Sequence, residues 1–445
     1  MAKNDEQLND EEAEIEDFIT SILTQAVAER ASDVHIEPYL GNIRIRFRID
    51  GILQDRGSLP IEEMERILVK IKVMSNLDIT RHNIPKDGHF RFAIQLSKEI
   101  YEKKKEKTPE SLVPDVTSRL FAKSAYEKIR EKEKISPAKA EAIILDIGKR
   151  PLDVRVSIFP TISGEAIVLR ILNREEMIIS LKDLGLNNNI FSTVKKMITR
   201  PYGMVLITGP AGAGKMTTLY AILREIKSDE KNIITLEDPV ELFLEGVRQV
   251  QVNPGQGFDF AQGMRSILRQ DPDAMMIGEI RDGETAENAI RSSLAGKIIF
   301  STVHANTVIG TIARLLDMGV ERSLIAYSLN GVISQRLVRK VCPDCKIVYS
   351  PGSEYLKYFG LENTPSRFVR GQGCDKCKKT GFLGRVGIFE VFEFDNGLRS
   401  LIVEKAPMRS LEEYVEGAGM KTLKQDAVEK ILAGITTAEE AAKVV

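Results

Sequence analysis

The run Gly209-Pro-Ala-Gly-Ala-Gly214-Lys215 constrains this chain more than any other feature. It follows Met204-Val-Leu-Ile-Thr208, an apolar stretch that reads as a buried strand, and it opens a helical pattern. A G-x₄-G-K turn in that context lets backbone N–H groups wrap an anionic phosphate. The helix N-terminus adds its dipole, and the lysine reaches the β- and γ-phosphates. A glycine-rich turn with no nucleotide is the plainer alternative, and Lys215 argues against it. The expected nucleotide-binding set is Gly209, Pro210, Ala211, Gly212, Ala213, Gly214, Lys215, Met216 and Thr217. Met216 departs from the motif, where a Ser or Thr hydroxyl ordinarily ligates Mg²⁺, because a thioether is a poor ligand for a hard cation. Thr217 comes one residue later, turned by about 100° around the helix. The sequence predicts nucleotide binding and leaves hydrolysis in question.

The surrounding texture supports an α/β domain. Asn232–Leu236, Ala274–Ile277 and Lys297–Thr302 read as further buried strands separated by helical segments, which suggests a largely parallel sheet. Acids follow two of these strands, as Glu237-Asp238-Pro-Val-Glu241 and Gly278-Glu279-Ile-Arg281-Asp282. A phosphate-binding fold places carboxylates at such strand ends to polarise water or hold Mg²⁺. A helix cap or a surface turn would explain one such cluster, but two behind one phosphate loop read as active-site acids. His304 ends another strand and is a candidate γ-phosphate sensor, although a histidine taken alone is more often a packing residue.

Upstream, residues 1–12 are acidic and read as a frayed tail. Residues 13–30 carry an apolar helical face, and Asn42–Ile49 is a strand with arginines on one side, ended by Asp50-Gly51. Residues 61–78 read as a helix; Gly88–Gln95, Leu152–Ile158 and Ala166–Leu172 read as strands. Between them, residues 97–137 are charge-rich and punctuated by Pro109, Pro114 and Pro137, as expected of a solvated insertion on a β-hairpin. Lys+Arg is 63 and Asp+Glu is 64, so the basic excess of a nucleic-acid-binding protein is missing and no nucleic-acid partner is expected. No apolar run reaches membrane-span length and the N-terminus is acidic, which predicts a cytoplasmic protein.

The cysteines fall as Cys342-Pro-Asp-Cys345 and Cys374-Asp-Lys-Cys377. Two C-x₂-C knuckles at this separation suit a closed four-thiolate Zn²⁺ site. Inert buried thiols are the alternative, and a disulfide pair is the weakest option in a reducing compartment.

Taken together these motifs resemble the secretion ATPase superfamily, in particular the assembly motors of type II secretion and type IV pili. The resemblance runs through Ala31-Ser-Asp-Val-His-Ile-Glu-Pro38, Arg44–Gly51, Ile84–Gly88, Asp153–Ser157, Pro201–Tyr220, Leu236–Glu241, Ile267–Asp273, Gly278–Asp282, Ser301–Asn306, both cysteine pairs, Gly384–Ile388 and Gly434–Glu440. It implies a RecA-like P-loop ATPase domain of α/β class with an N-terminal α+β (PAS-like) lobe, a four-cysteine zinc subdomain and a helical C-terminal region. The corresponding boundaries are 13–182, 186–340, 341–385 and 386–445. It also implies ATP and Mg²⁺ between the two lobes, a homohexamer, and a polytopic inner-membrane platform protein as partner, with the motor held peripherally at that membrane. By motif match, Glu237, Asp238 and Glu241 form an aspartate box and Glu279 is the Walker B acid. Arg155 and Arg170 are the N-lobe arginines that reach the phosphates, and Arg265, Arg269 and Arg281 belong to C-lobe motifs.

Two departures from the family pattern stand out. Met216 replaces the metal-binding hydroxyl, and Lys297 occupies a position that usually holds a histidine. The insertion has no usual counterpart, and the long extra N-terminal domain of many assembly motors is not expected. A retraction motor typically lacks the cysteine pairs, so Cys342–Cys377 speaks against that reading. A nucleotide-binding, weakly hydrolysing structural subunit is the rival that Met216 suggests.

Overall fold

The structure is a computed structural model and describes residues 2–95, 149–172, 179–364 and 367–445; the insertion at 97–137 lies outside them. The chain divides into two compact units, Met1–Asn173 and Arg174–Val445. The sequence reading put this boundary near 182. It falls earlier because Leu181 and Leu184 are buried in the core of the second unit.

In the first unit, α1 (Ala2–Ala28) precedes the strands β1 (Ala31–Tyr39), β2 (Asn42–Ile49) and β3 (Ile52–Pro60), then α2 (Glu63–Met74). The strands β4 (Lys86–Gln95), β5 (Lys149–Thr161) and β6 (Gly164–Leu172) complete an antiparallel six-stranded sheet of order β3-β2-β1-β6-β5-β4. The helix α1 takes in residues read as an acidic tail. Its apolar side chains Ile15, Ile19, Ile22, Leu23 and Ala26 recur at helical spacing and pack with Ile67 and Ile71 of α2 over one sheet face. Alternation along β2 buries Ile43, Ile45, Phe47 and Ile49 on that face and leaves Arg44, Arg46 and Arg48 on the other. There Arg46 pairs with Glu37 (2.6 Å), and Asp33 accepts from Arg170 Nε at 2.9 Å. Arg155 of β5 sits opposite Arg170 of β6 in register.

The second unit holds β7 (Gly203–Thr208), β8 (Ile233–Glu237), β9 (Arg248–Gln251), β10 (Ala274–Ile277), β11 (Ile298–Val303), β12 (Leu329–Val341), β13 (Lys346–Val348), β14 (Val369–Gly371) and β15 (Phe382–Glu393). Seven of these form one sheet of order β15-β12-β7-β11-β10-β8-β9, parallel except where β15 pairs with β12. Along β7, Met204 and Leu206 enter one core while Val205 and Ile207 enter the other, so helices cover both faces. On the second face lie α3 (Asn188–Ile198) and α4 (Lys215–Ile226). On the first lie α5 (Phe260–Ile267), α6 (Gly283–Leu294), α7 (Val308–Asp317) and α8 (Arg322–Ser328).

Helices follow β15 from Asn396 onward, so the expected helical region at 386–445 needs correction: residues 386–393 belong to the sheet. Val386–Phe392 are all buried, on both faces of the strand. A strand enclosed on both sides shows no alternation and cannot be told from a buried helix by periodicity.

The chain end is fastened to β12. Arg339 Nε and Nη2 donate to the two carboxylate oxygens of Glu440 at 2.8 and 2.7 Å, and the guanidinium lies 4.0 Å from the Phe382 ring centroid. Burial pushes the Glu440 carboxyl up, but its bonds from Arg339 and Lys443 outweigh this and hold it below its ordinary value. A depressed carboxyl contributes stability above its unfolded pKa and loses it as pH falls through the folded value. Glu440→Gln is expected to lower the unfolding free energy by about 3 kcal/mol at neutral pH. Denaturant titrations should show the two proteins converging below about pH 4.

Candidate active site

The phosphate loop forms where β7 ends. Gly209 and Gly214 hold φ of 151° and 85°, and β12 passes close beneath both. A Cβ on Gly209 would meet the Gln335 carbonyl oxygen at 2.5 Å, and one on Gly214 would meet Gln335 Nε2 at 3.1 Å. Glycine is thus required by backbone conformation and by close approach together. Gln335 itself is buried; its Nε2 donates to the Ala213 carbonyl at 2.5 Å, and its Oε1 accepts from Thr218 Oγ1 at 2.8 Å. Lys215 Nζ donates to the carbonyls of Gly209 (2.7 Å) and Pro210 (3.1 Å), closing the loop on itself. Burial lowers the pKa of this ammonium and nearby Arg336 lowers it further, while Glu279 opposes both.

Met216 is half-buried and packs against the apolar core of the α3/α4 face. Thr217 is half-buried as well, and Thr218 is engaged by Gln335.

The candidate acids gather at the carboxyl ends of the neighbouring strands, where open α/β sheets bind ligands. Glu279 follows β10 and His304 follows β11; His304 Nε2 lies 3.6 Å from Glu279 Oε2, and Arg281 pairs with the same carboxylate. Asp282, from the same motif, is instead the N-cap of α6, accepting from the Thr285 amide at 2.8 Å. Glu237 ends β8 and is fully enclosed. Its carboxylate accepts from Tyr220 Oη and Thr235 Oγ1, both at 2.5 Å, and from Gln249 Nε2 at 3.1 Å. Asp238 is exposed and Glu241 half-buried in the loop beyond.

Lys215, Glu279, Arg281 and His304 therefore meet at one edge of the sheet. Arg155 and Arg170 belong to the sheet of the first unit. Arg265 pairs with Glu284 of α6, and Arg269 Nη1 donates to the Arg265 carbonyl.

Sequence reasoning missed Gln335, Tyr220, Gln249 and Arg336. Gln335 left a usable signal, since a polar residue inside a buried strand needs a partner. The Arg336 guanidinium donates to the carbonyl of Asn306, as does the Ser334 hydroxyl, and so the His304 loop is tied to the strand that braces the phosphate loop.

Residues 8–139 and 125–443 match the family of Type II/IV secretion system proteins. This chain belongs to that family. Type II secretion system ATPase E of Vibrio cholerae is 38% identical over 447 residues, which cover 100% of this chain and 78% of that protein. Type IV pilus assembly ATPase PilB of Thermus thermophilus is 36% identical over 433 residues, covering 97% of this chain and 43% of PilB. Among solved structures, the ATPase DotB of Legionella pneumophila superposes with a TM-score of 0.64 at 20% identity, over 96% of this chain and 95% of that one. The pilus retraction motor PilT with bound ADP gives 0.57 at 24% identity, over 96% of each chain. These two similarities concern the fold alone. By its family and its curated relatives, the chain is an ATPase of the secretion and pilus-assembly kind.

This member of the secretion ATPase family also brings its four cysteines together. The sulfurs of Cys342, Cys345, Cys374 and Cys377 all lie within 4.8 Å of one another. The pairs Cys342–Cys374, Cys345–Cys377 and Cys374–Cys377 are 3.8, 3.9 and 3.7 Å apart. A tetrahedral ion with Zn–S bonds of about 2.3 Å separates its thiolates by about 3.8 Å, so the four positions fit zinc. Amides support the charge: Cys374 N donates to Cys377 Sγ at 3.1 Å, and Gly373 N and Gly381 N donate to Cys345 and Cys377 at 3.3 Å. Burial pushes Cys342 up to about 12. Burial also pushes Cys377 up, but its amide donors prevail and bring it to about 6. Lys297, the other departure from the family pattern, faces Asp271 at 3.7 Å.

Proposed function

We propose that this chain binds ATP with Mg²⁺ at Gly209–Thr217 and couples slow hydrolysis to assembly of a type II secretion pseudopilus or a type IV pilus. The motor is a cytoplasmic homohexamer acting through a polytopic inner-membrane platform protein, and Cys342, Cys345, Cys374 and Cys377 hold a structural zinc ion. The meeting of Lys215, Glu279 and His304 at the carboxyl ends of β7, β10 and β11 carries this reading. Among the described residues no helix is long and apolar enough to cross a membrane, which suits attachment through a partner.

The chemistry follows from position and charge. The amides of the loop and Lys215 hold the phosphates, and binding draws the Lys215 ammonium from the carbonyls of Gly209 and Pro210. A magnesium ion neutralises charge on the phosphate oxygens when bound. Glu279 orients the attacking water and accepts its proton, and His304, beside Glu279, faces the γ-phosphate. Asp238 and Glu241 act from the loop after β8, whereas enclosed Glu237 acts by positioning that loop.

A second reading, a nucleotide-binding subunit with little turnover, is favoured by Met216, whose apolar side chain is committed to core packing. Losing one metal ligand impairs positioning more than affinity. Met216→Thr is therefore expected to raise turnover by ~10-fold, on the order of 1.4 kcal/mol in barrier, while forfeiting about 1 kcal/mol of packing. Turnover and nucleotide affinity measured on one preparation of each protein decide the matter. Equal turnover at saturating ATP and Mg²⁺ would remove Met216 as the cause of slow hydrolysis.

A further inference from the structure

Side chains rather than a backbone ladder fasten the loop that follows β8. The amide of Val240 donates to Gln251 Oε1 at 3.3 Å, and the amides of Glu241 and Leu242 both donate to Tyr220 Oη, at 3.1 and 3.3 Å. The amide of Leu244 donates to Gln249 Oε1 at 2.7 Å, and Gln249 Nε2 returns to the Leu242 carbonyl at 2.8 Å. Tyr220 stands apart from the two glutamines, because they sit on β9 whereas it sits on α4, five residues beyond Lys215.

A buried tyrosine hydroxyl ordinarily needs one partner. The fully buried Tyr220 has three, namely the Glu237 carboxylate and two amides, and all lie on segment 237–242. Burial and the adjacent Glu237 carboxylate push its phenol pKa far up, so the hydroxyl remains a donor to that carboxylate. Asp238 and Glu241 ride on this same segment. Helix α4 begins at Lys215, whose side chain must leave the carbonyls of Gly209 and Pro210 to meet a phosphate.

We propose that Tyr220 is a positioning residue that passes occupancy of the phosphate loop to the acidic loop carrying Asp238 and Glu241. This rests on the reading of Gly209–Thr217 as a nucleotide site. Helix α4 is a rigid element that shares an apolar core with Leu242 and Leu244, and the three hydrogen bonds at Tyr220 Oη make the register of the acidic loop follow the register of the helix. Glu237 completes the device by holding the Tyr220 hydroxyl from the sheet side.

Tyr220→Phe removes that oxygen and keeps the ring in the core. The full-length variant is expected to bind ATP within about threefold of the parent while turnover falls at least about tenfold, a split that marks a loss felt only in the reacting complex. Hydrogen exchange gives the second readout. In the parent, nucleotide should change the protection of the Glu241 and Leu242 amides; in Tyr220→Phe that response should vanish. Should this variant fold poorly, Glu237→Gln disturbs the same hydroxyl bond from the other side, and the same split is expected of it. Parental turnover in these variants overturns the proposal, as does a loss of protection that is equal with and without nucleotide, which would mark a purely structural tyrosine. Failure of the parent itself to bind ATP would instead overturn the reading of the site.

Discussion

Stripping the metal from the four-cysteine cluster will loosen residues 342–381 and destabilise the second unit by at least about 3 kcal/mol. Free energy of zinc binding is folding free energy wherever the site is assembled only in the folded chain, and in small zinc modules it reaches ~10 kcal/mol or more. The effect here is smaller, because β12 and β15 flank the knuckles and are buried independently of them. What remains depends on the ion, since four sulfurs gathered within 4.8 Å cannot all carry charge without a cation between them. Three measurements check this. Protein purified without chelator should carry close to one zinc per chain; chelator should expose the region to protease; and acid should release zinc, because protons compete for the thiolates. Less than half an equivalent of zinc, or a melting curve indifferent to chelator, would remove metal from the account.

Glu279→Gln is expected to reduce turnover by about 10³-fold, on the order of 4 kcal/mol in barrier. Nucleotide affinity should change by only a few-fold. The carboxylate is mostly shielded, at 19% side-chain exposure, and sits among Arg281, His304 and the Lys215 ammonium, where a charge is worth more than in open water. An amide of the same shape keeps the packing and loses the charge and the basicity. The comparison is best made on the Met216→Thr background, where faster turnover gives room for the drop. A variant within threefold of its parent would move the base elsewhere, with Asp238 and Glu241 the next candidates.

Much of this site was legible in the sequence because its parts are local. A buried strand, a glycine turn and a lysine at a helix start are one continuous stretch, and Ala274–Ile277 was read as the strand that the structure contains. Glu279 and His304 were readable for the same reason, each at the end of an apolar run. Partnerships across the sheet were not. Nothing near Glu237 in the chain says that Tyr220 and Gln249 will enclose it, since those contacts exist only once α4 and β9 pack. Likewise β15 was hidden by uniform burial, and Met216 read as a missing ligand before its packing role was visible. The limit on the sequence reading is thus tertiary: side chains that act through other side chains carry no pattern of their own.

Strand β12 is a ruler. Ser334 and Arg336 meet Asn306 while Gln335, between them, meets Ala213 and Thr218; farther along, Arg339 meets Glu440, and the strand runs out into Cys342. Successive residues face opposite ways, so one residue gained or lost between Gly331 and Gln335 would present the glutamine to the wrong side and every later contact with it. The strand has two irregularities, one between Leu329 and Gly331, where its register against β7 shifts, and one between Arg339 and Val341, where its register against β15 shifts. A bulge of that sort absorbs an odd residue without passing the error along. Changes of length in β12 are therefore tolerable at its irregular points, Asn330 and Lys340, and not in the regular stretch between them that carries Ser334, Gln335 and Arg336.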